Sequence, residues 1–320
     1  MRNTLLIVTL ICVWMFFSGE AFSFYYKTTP LPEPRQMYGT AVLGDYLYVI
    51  GGNNKSGYLK SVLKAPIMPD GTLGEWTPTT PLPHSRAYIA NTTIALNDIL
   101  YVVGGYDGAN NLNKQTILWS KPLPNGELSP WQESPPFPGE GISCSVVVST
   151  PGHLHLIGGY TQSDKPTNIV WTAILDERGD FVRWIPGPRL PVPLWFHNAG
   201  VVGNRVWVWG GLTTPQNTSV HPMIYSAPIL ADGRLGQWRM EASRLPQPFY
   251  RAACTASGPF LLSFCPSYAG GVVSNDIWFA QVSDKGTSPW QKLSTQISPK
   301  VYLGVSPDFR RGVIFLPGGR

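Results

Sequence analysis

Residues 46–52 read YLYVIGG, five apolar or aromatic side chains that stop at two glycines. An apolar run of this length without alternation fits a strand covered on both faces. Paired glycines let the chain turn at positive φ, or pass a neighbour too closely for a Cβ. The string recurs as ILYVVGG (99–105), HLHLIGG (153–159), RVWVWGG (205–211) and GVIFLPGG (312–319). FLLSFCP (260–266) fills the remaining slot, with Phe264 and Cys265 taken at the glycine positions, and the steps are then 53, 54, 52, 54 and 54 residues.

A second marker keeps the same time. Trp76, Trp131, Trp184, Trp238 and Trp290 follow the first five slots by 25 to 28 residues. Turns such as PDGTLGEW and ADGRLGQW lead into them, and proline corners such as PLPHSR (81–86) and RLPQP (244–248) follow several. The N-terminal YYKTTPLPEPR carries one further copy, with Tyr26 at the tryptophan position. Each unit therefore reads as four strands: strand a (38–43 in the first), a tight turn such as Gly44-Asp45, strand b with the glycine pair, strand c (61–67), and strand d carrying the tryptophan. Six such units without helices pack radially, each sheet covered by its neighbours, with only short edges left exposed. The predicted fold is all-β, a six-bladed β-propeller with four-stranded blades, its ring closed by the N- and C-terminal segments.

This cadence of strand, glycine pair and tryptophan, at a period near 50 residues, resembles the kelch family of β-propellers over essentially the whole chain after residue 23. The resemblance implies an architecture and leaves the function open.

Composition agrees with a packed domain: 43% hydrophobic residues against 13% charged excludes disorder, while 33 Gly and 31 Pro supply the turns. Net charge is +5, but no Lys/Arg run exists, so nucleic acid is not an expected partner. Arg2, the apolar stretch 4–17 and the small residues of AFS (21–23) read as a signal peptide. The expected organisation is a leader over 1–23 and one propeller over 24–320, secreted or periplasmic and monomeric, with no membrane span once the leader is gone. Removing that leader leaves strand c of the closing blade without an obvious donor. Cys144, Cys254 and Cys265 read as buried thiols, and no cysteine or histidine cluster suggests a metal. No cofactor is expected.

In this topology the d-to-a corners and the b-to-c loops open on one face around the channel. Ligand-binding candidates there are Arg35, Arg86, Tyr106, Asp107, Tyr160, His197, Arg251 and Tyr268, with Glu140 and Lys300 also on corners. The first functional reading is a module that binds an extracellular or periplasmic protein or glycan through this face. The alternative rests on a likeness of plan to secreted kelch-like sialic-acid mutarotases. That likeness implies a cofactor-free sugar epimerase, with Glu140 moving the proton and Arg86 or Arg251 gripping a carboxylate. The sequons at Asn54, Asn91 and Asn217 are candidate glycosylation sites, with Asn91 placed in a predicted strand.

Overall fold

The computed structural model describes residues 5–9, 24–293, 304–308, 310–311 and 313–317. Among them are six sheets of four or five antiparallel strands and three two-stranded hairpins. Blade 1 runs a (Gly39–Leu43), b (Tyr46–Ile50), c (Val62–Pro66) and d (Thr77–Thr79). Blade 2 follows as Thr93–Leu96, Ile99–Val103, Ile117–Ser120 and Gln132–Glu133. Blade 3 has the longest strands, Val146–Thr150, His153–Thr161, Pro166–Leu175 and Phe181–Pro186. Blade 4 is Asn198–Val202, Arg205–Trp209, Met223–Pro228 and Arg239–Arg244. Blade 5 is Ala253–Ser257, Phe260–Phe264, Ile277–Ser283 and Gln291–Leu293.

Blade 6 closes the ring with strands from both ends, in the order Phe24–Thr28, Leu5–Thr9, Val313–Leu316, Ser306–Asp308. Its strand c is Leu5–Thr9, which pairs antiparallel with Phe24–Thr28 on one side and with Val313–Leu316 on the other. The missing donor thus comes from the same apolar segment that reads as a leader.

Six apolar clusters join the sheets in a cycle, because alternate side chains of each strand face opposite neighbours. Leu100 and Val102 of blade 2 pack on Tyr48 and Ile50 of blade 1, while Tyr101 and Ile117 pack on Leu154 and Leu156 of blade 3. Val146 and Ile157 meet Val206 and Val208 between blades 3 and 4. Trp207 and Trp209 meet Leu261 and Trp278 between blades 4 and 5. Leu262 and Phe264 meet Ile314 and Leu316 between blades 5 and 6, and Phe315 meets Leu47 and Ala65 to complete the circle. Burying each apolar side chain in these seams stabilises the ring by about 1.5–3 kcal/mol.

The glycine pairs sit at the seams. A Cβ on Gly51, Gly104, Gly158 or Gly210 would stand 2.3, 2.7, 2.6 or 2.6 Å from the carbonyl oxygen of Arg86, Ile142, Leu194 or Phe249 on the next blade's corner. The second glycine donates its N–H to that same oxygen, from Gly52 (2.7 Å), Gly105 (3.0 Å), Gly159 (2.7 Å) and Gly211 (2.9 Å). The pair therefore makes a backbone latch between blades.

Three sequence expectations shift in detail. Cys265 and Pro266, not Phe264 and Cys265, take the glycine places, since Phe264 still pairs within strand b and Cys265 donates to Asp276 as Gly51 does to Ser61. Four of the five tryptophans stand just before strand d, and only Trp184 lies within it. From there the indoles of Trp76, Trp131, Trp184 and Trp238 donate to the preceding blade's Thr29, Thr80, Pro135 and Pro188 carbonyls at 2.8–3.2 Å. Asn91 lies in a turn ahead of strand a rather than in a strand. The glycines at 318–319 and Lys300 lie outside the described residues, as does the Tyr26 side chain. Among the described residues no helix is long and apolar enough to cross a membrane.

Candidate functional site at the channel mouth

In blades 1, 2, 4 and 5 the corner and the b-to-c loop are joined by short antiparallel bridges: Gln36 to Asn53, Ala87 to Tyr106, Trp195 to Leu212, and Tyr250 to Ser267. In blade 3 the corner pairs as Ile142–Ser143 with Tyr160 and Thr161. Corner and loop therefore form one rim, as the topology requires.

At the axis, one residue in each of the first five corners adopts a left-handed backbone: Met37 (φ 58°), Tyr88 (58°), Cys144 (53°), Phe196 (50°) and Arg251 (56°). Non-glycine residues seldom hold this conformation, which costs about 1–2 kcal/mol each. Here it accompanies a collar of corner-to-corner bonds. Ile89 donates to Met37 O (3.3 Å), Phe196 to Cys144 O (2.9 Å) and Arg251 to Phe196 O (3.0 Å). The five side chains converge and leave a cavity of about 40 Å³, lined also by Asn91 and Ser145. Among the described residues these side chains plug the centre of the mouth and leave room there for water rather than for a sugar ring. Asn91 donates to Ala252 O at 3.3 Å across this plug.

Around the plug, aromatic rings touch in series. Tyr58 meets Tyr106 (centroids 5.3 Å), Tyr106 meets Tyr88 (6.1 Å), and Tyr88 reaches Phe196 (6.2 Å), which packs on Trp195 (4.7 Å) and through it on Tyr160 (4.5 Å). These separations and tilts are those of attractive edge-on or offset pairs. Each ring of the arc is at least partly exposed, Tyr58 at 39%. The Arg251 guanidinium lies 4.6 Å from the Phe196 ring and 5.0 Å from Tyr250, within range of cation–π attraction. Amides flank the arc: Gln162 accepts from Asn113 N (2.7 Å), its amide donates to Asn111 O (3.2 Å), and the Tyr106 hydroxyl donates to Asn111 Oδ1.

The eight ligand candidates divide sharply by burial. Tyr106, Tyr160 and Arg251 lie in the mouth. Arg35 and Arg86 are buried braces: Arg35 donates to Glu33 (2.7 Å), Ser61 Oγ (3.2 Å) and Gly51 O (3.3 Å), and Arg86 to Thr116 (3.1 Å) and Glu133 (3.2 Å). Burial pulls the Arg86 guanidinium down to about 10, against Glu133 and Asp107, which favour its charge. Asp107 is fully buried. Burial opposes its ionisation, but Ser85 (2.6 Å), Asn110 (2.8 Å) and Lys114 together hold it below the ordinary carboxylate value. His197 is wholly enclosed beneath Gly158 and Gly211, and burial drives its imidazole down to about 3. Tyr268 donates to Asp276 and accepts from the Trp278 indole (2.9 Å), and burial raises its hydroxyl to about 12.

Glu140 is exposed and accepts from the Ser163 hydroxyl, which with Thr161 lowers its pKa. It stays an anion at neutral pH, while Arg86 is committed to its own seam. Among the described residues no group of three metal-ligating side chains occurs, and Cys144, Cys254 and Cys265 form no disulfide with one another. Burial raises the Cys144 and Cys254 thiols to about 12. Tyr58, Tyr88, Trp195 and Phe196 were not among the sequence candidates. Their common signal is position, on a corner ahead of strand a (Tyr88, Trp195, Phe196) or in a b-to-c loop (Tyr58), and not residue type.

A family model described as Kelch motif matches residues 34–64, the first corner through strand c. Alpha-scruin of Limulus polyphemus is 24% identical over 253 residues, 77% of this chain but 26% of its own length. Kelch repeat and BTB domain-containing protein 12 of Danio rerio is 30% identical over 198 residues, 56% of this chain and 30% of its own. The chain thus spans less than a third of each of these relatives. A solved structure titled "Structure of YjhT" superposes with a TM-score of 0.68 at 14% identity, covering 92% of this chain and 93% of that one, a likeness of fold. With the repeat, the cyclic seams and these matches in agreement, the chain belongs to the kelch-repeat β-propellers.

Proposed function

We propose that the chain is a protein-binding module acting through the channel mouth, with the arc from Tyr58 to Tyr160 as its anchor. The arc itself carries this reading. Tyrosine and tryptophan supply large contact area at low entropic cost and dominate binding energy in protein interfaces. The loops beside them, NNKSGY (53–58), YDGANN (106–111) and YTQSDKPTN (160–168), are rich in Asn, Ser and Gly, which adapt their hydrogen bonds to a partner. Arg2 ahead of the apolar stretch 4–17, read as a leader, supports a place of action outside the cytoplasm.

A glycan is the second reading, favoured by the amides of Asn111, Asn113 and Gln162 next to the tyrosine faces. The epimerase reading retains Glu140 and Arg251 only, since Arg86 is enclosed. The test is selection of displayed peptides against the mouth, together with a glycan array, using wild type and a Tyr106→Ala/Trp195→Ala variant of unchanged circular dichroism. Peptide affinity should fall at least about 30-fold in the variant. Peptides that bind both proteins equally would remove the arc from the interface, and array signals alone would make the ligand a glycan. Proton NMR of sialic acid and hexose anomers, with Glu140→Gln as control, reads the epimerase alternative.

A further inference from the structure

The aromatic arc of the mouth returns on itself. From Tyr106 the rings run through Tyr88, Phe196 and Trp195 to Tyr160, at centroid steps of 4.5–6.2 Å. The way back is polar: the Asn113 amide donates to Tyr160 O (3.3 Å), and Gln162 links Asn113 N to Asn111 O. Tyr106 and Tyr160, the two ends, therefore stand on adjoining b-to-c loops of blades 2 and 3.

Asp164 serves both ends. It is exposed in the tight turn of the blade 3 loop, at φ 55°, with its N–H on Thr161 O (3.2 Å). Its carboxylate reaches both phenols. Burial raises the Tyr106 hydroxyl most, followed by Tyr58, Asp107 and Asp164, and burial and then Asp164 raise that of Tyr160. The neighbouring carboxylates already have partners. Lys114 stands 3.9 Å from Asp107, while the Ser163 hydroxyl bonds Glu140, which Thr161 and Lys165 also favour as an anion.

Aromatic faces carry negative potential, and a carboxylate beside two of them makes a place for a cation. The arc already holds one such contact. The Arg251 guanidinium, from the blade 5 corner, lies 4.6 Å from the Phe196 ring. That charge repels a second cation from the Phe196 end, and Asp164 attracts it to the other. An incoming carboxylate would meet Asp164 and Glu140 there instead.

We propose that the mouth takes a basic side chain of a protein partner, an arginine before a lysine, laid on the Tyr106 and Tyr160 rings with its guanidinium on the Asp164 carboxylate. A guanidinium suits this place better than an ammonium, because its plane stacks on a ring while its N–H fork grips a carboxylate. This selectivity rests on the proposed role of the mouth as the binding surface.

A displayed library of random-sequence peptides tests it, selected on the full-length protein and counter-selected on the Tyr106→Ala/Trp195→Ala variant. The recovered peptides should share an arginine. Exchanging that arginine for citrulline, its neutral isostere, should weaken binding about tenfold. Asp164→Asn keeps the turn, since asparagine tolerates positive φ, and should weaken the arginine peptide about fivefold while sparing the citrulline peptide. The fivefold effect should shrink as salt rises. Recovered peptides without a basic residue, or indifferent to Asp164→Asn, would overturn the proposal and leave the mouth as the binding surface. If no peptide prefers the wild-type mouth to the double variant, the binding surface itself is wrong and the arginine site falls with it.

Discussion

Blades 2 and 5 share a strand plan and a core, and differ in how they hold their neighbours. Blade 2 carries a glycine latch, a tyrosine hydroxyl on the next turn, and an indole on the previous blade. Blade 5 has the equivalent positions filled by Pro266, Leu262 and an unpaired Trp290 indole, while its apolar contacts on both sides persist. Burial and the bonds that blade 4 sends to it keep blade 5 in the ring without those three devices of its own.

His155 and His197 lie in blades 3 and 4, in the firmly latched half. Burial, with a smaller push from His153, lowers His155 to about 3, and burial lowers His197 as far. Both are neutral when folded, so below the ordinary value near 6.5 the unfolded chain binds more protons than the folded one. Their stabilising share is complete above pH 6.5 and is lost as pH falls toward about 3, at up to about 1.4 kcal/mol per pH unit for each histidine. Urea unfolding across this range should show that decline, and a His155→Gln variant should flatten it. Amide hydrogen exchange in blade 3 should then be faster at pH 4 than at neutral pH, relative to blades 1 and 2. A flat profile would show that the imidazoles are solvated.

The next largest effect belongs to the glycines. Gly104→Ala puts a Cβ 2.7 Å from Ile142 O at φ 61°, and the cost should reach about 3 kcal/mol because a backbone carbonyl cannot step aside cheaply. Cys265→Gly, at the corresponding place in blade 5, should be neutral or stabilising by up to about 1 kcal/mol. Equal costs at the two sites would end the distinction between latched and unlatched seams. Tyr101→Phe tests the second device: loss of the bond to Gly179 should cost about 1–2 kcal/mol, measured by chemical denaturation.

These contrasts explain what the residue order revealed and what it hid. Glycine pairs and tryptophans were legible because each must recur wherever blades meet at the same distance. The one-residue slip at Phe264 arose because a lost glycine leaves no mark to count from, and only the pairing of Phe264 with Ala253 and Ile277 fixes the register. Arg35, Arg86 and His197 looked like mouth residues because polarity does not say which way a corner side chain points. The collar of Met37, Tyr88, Cys144, Phe196 and Arg251 shares a backbone angle and no chemistry, so no pattern of residue types could show it. Leu5–Thr9 has the composition of a leader and the pairing of a strand, and those two signals overlap by nature. Export with cleavage near Phe24 predicts an intact mass lacking residues 1–23 and a blade 6 of three strands. A mass that retains them would make strand c permanent.

The smallest effect sharpens the comparison between the two sides of blade 6. Asp45 bridges from the blade 1 turn to Arg311 (2.8 Å) and Arg310 (3.4 Å), and the hydrogen bond from Arg311 holds its carboxyl below the ordinary value. This pair looks like a clasp on the seam between blades 6 and 1, yet Asp45 is 69% exposed and water screens it. Asp45→Asn should cost no more than about 0.5 kcal/mol, and that difference should vanish at high salt. If the seam instead came apart in the variant, exchange would spread to blade 1 strand b at Tyr46–Ile50. The surface pair would then do what Trp76, Thr28 and the Phe315 cluster are expected to do from beneath it. A silent Asp45→Asn beside a costly Tyr101→Phe would place the ring's cohesion in bonds shielded from solvent.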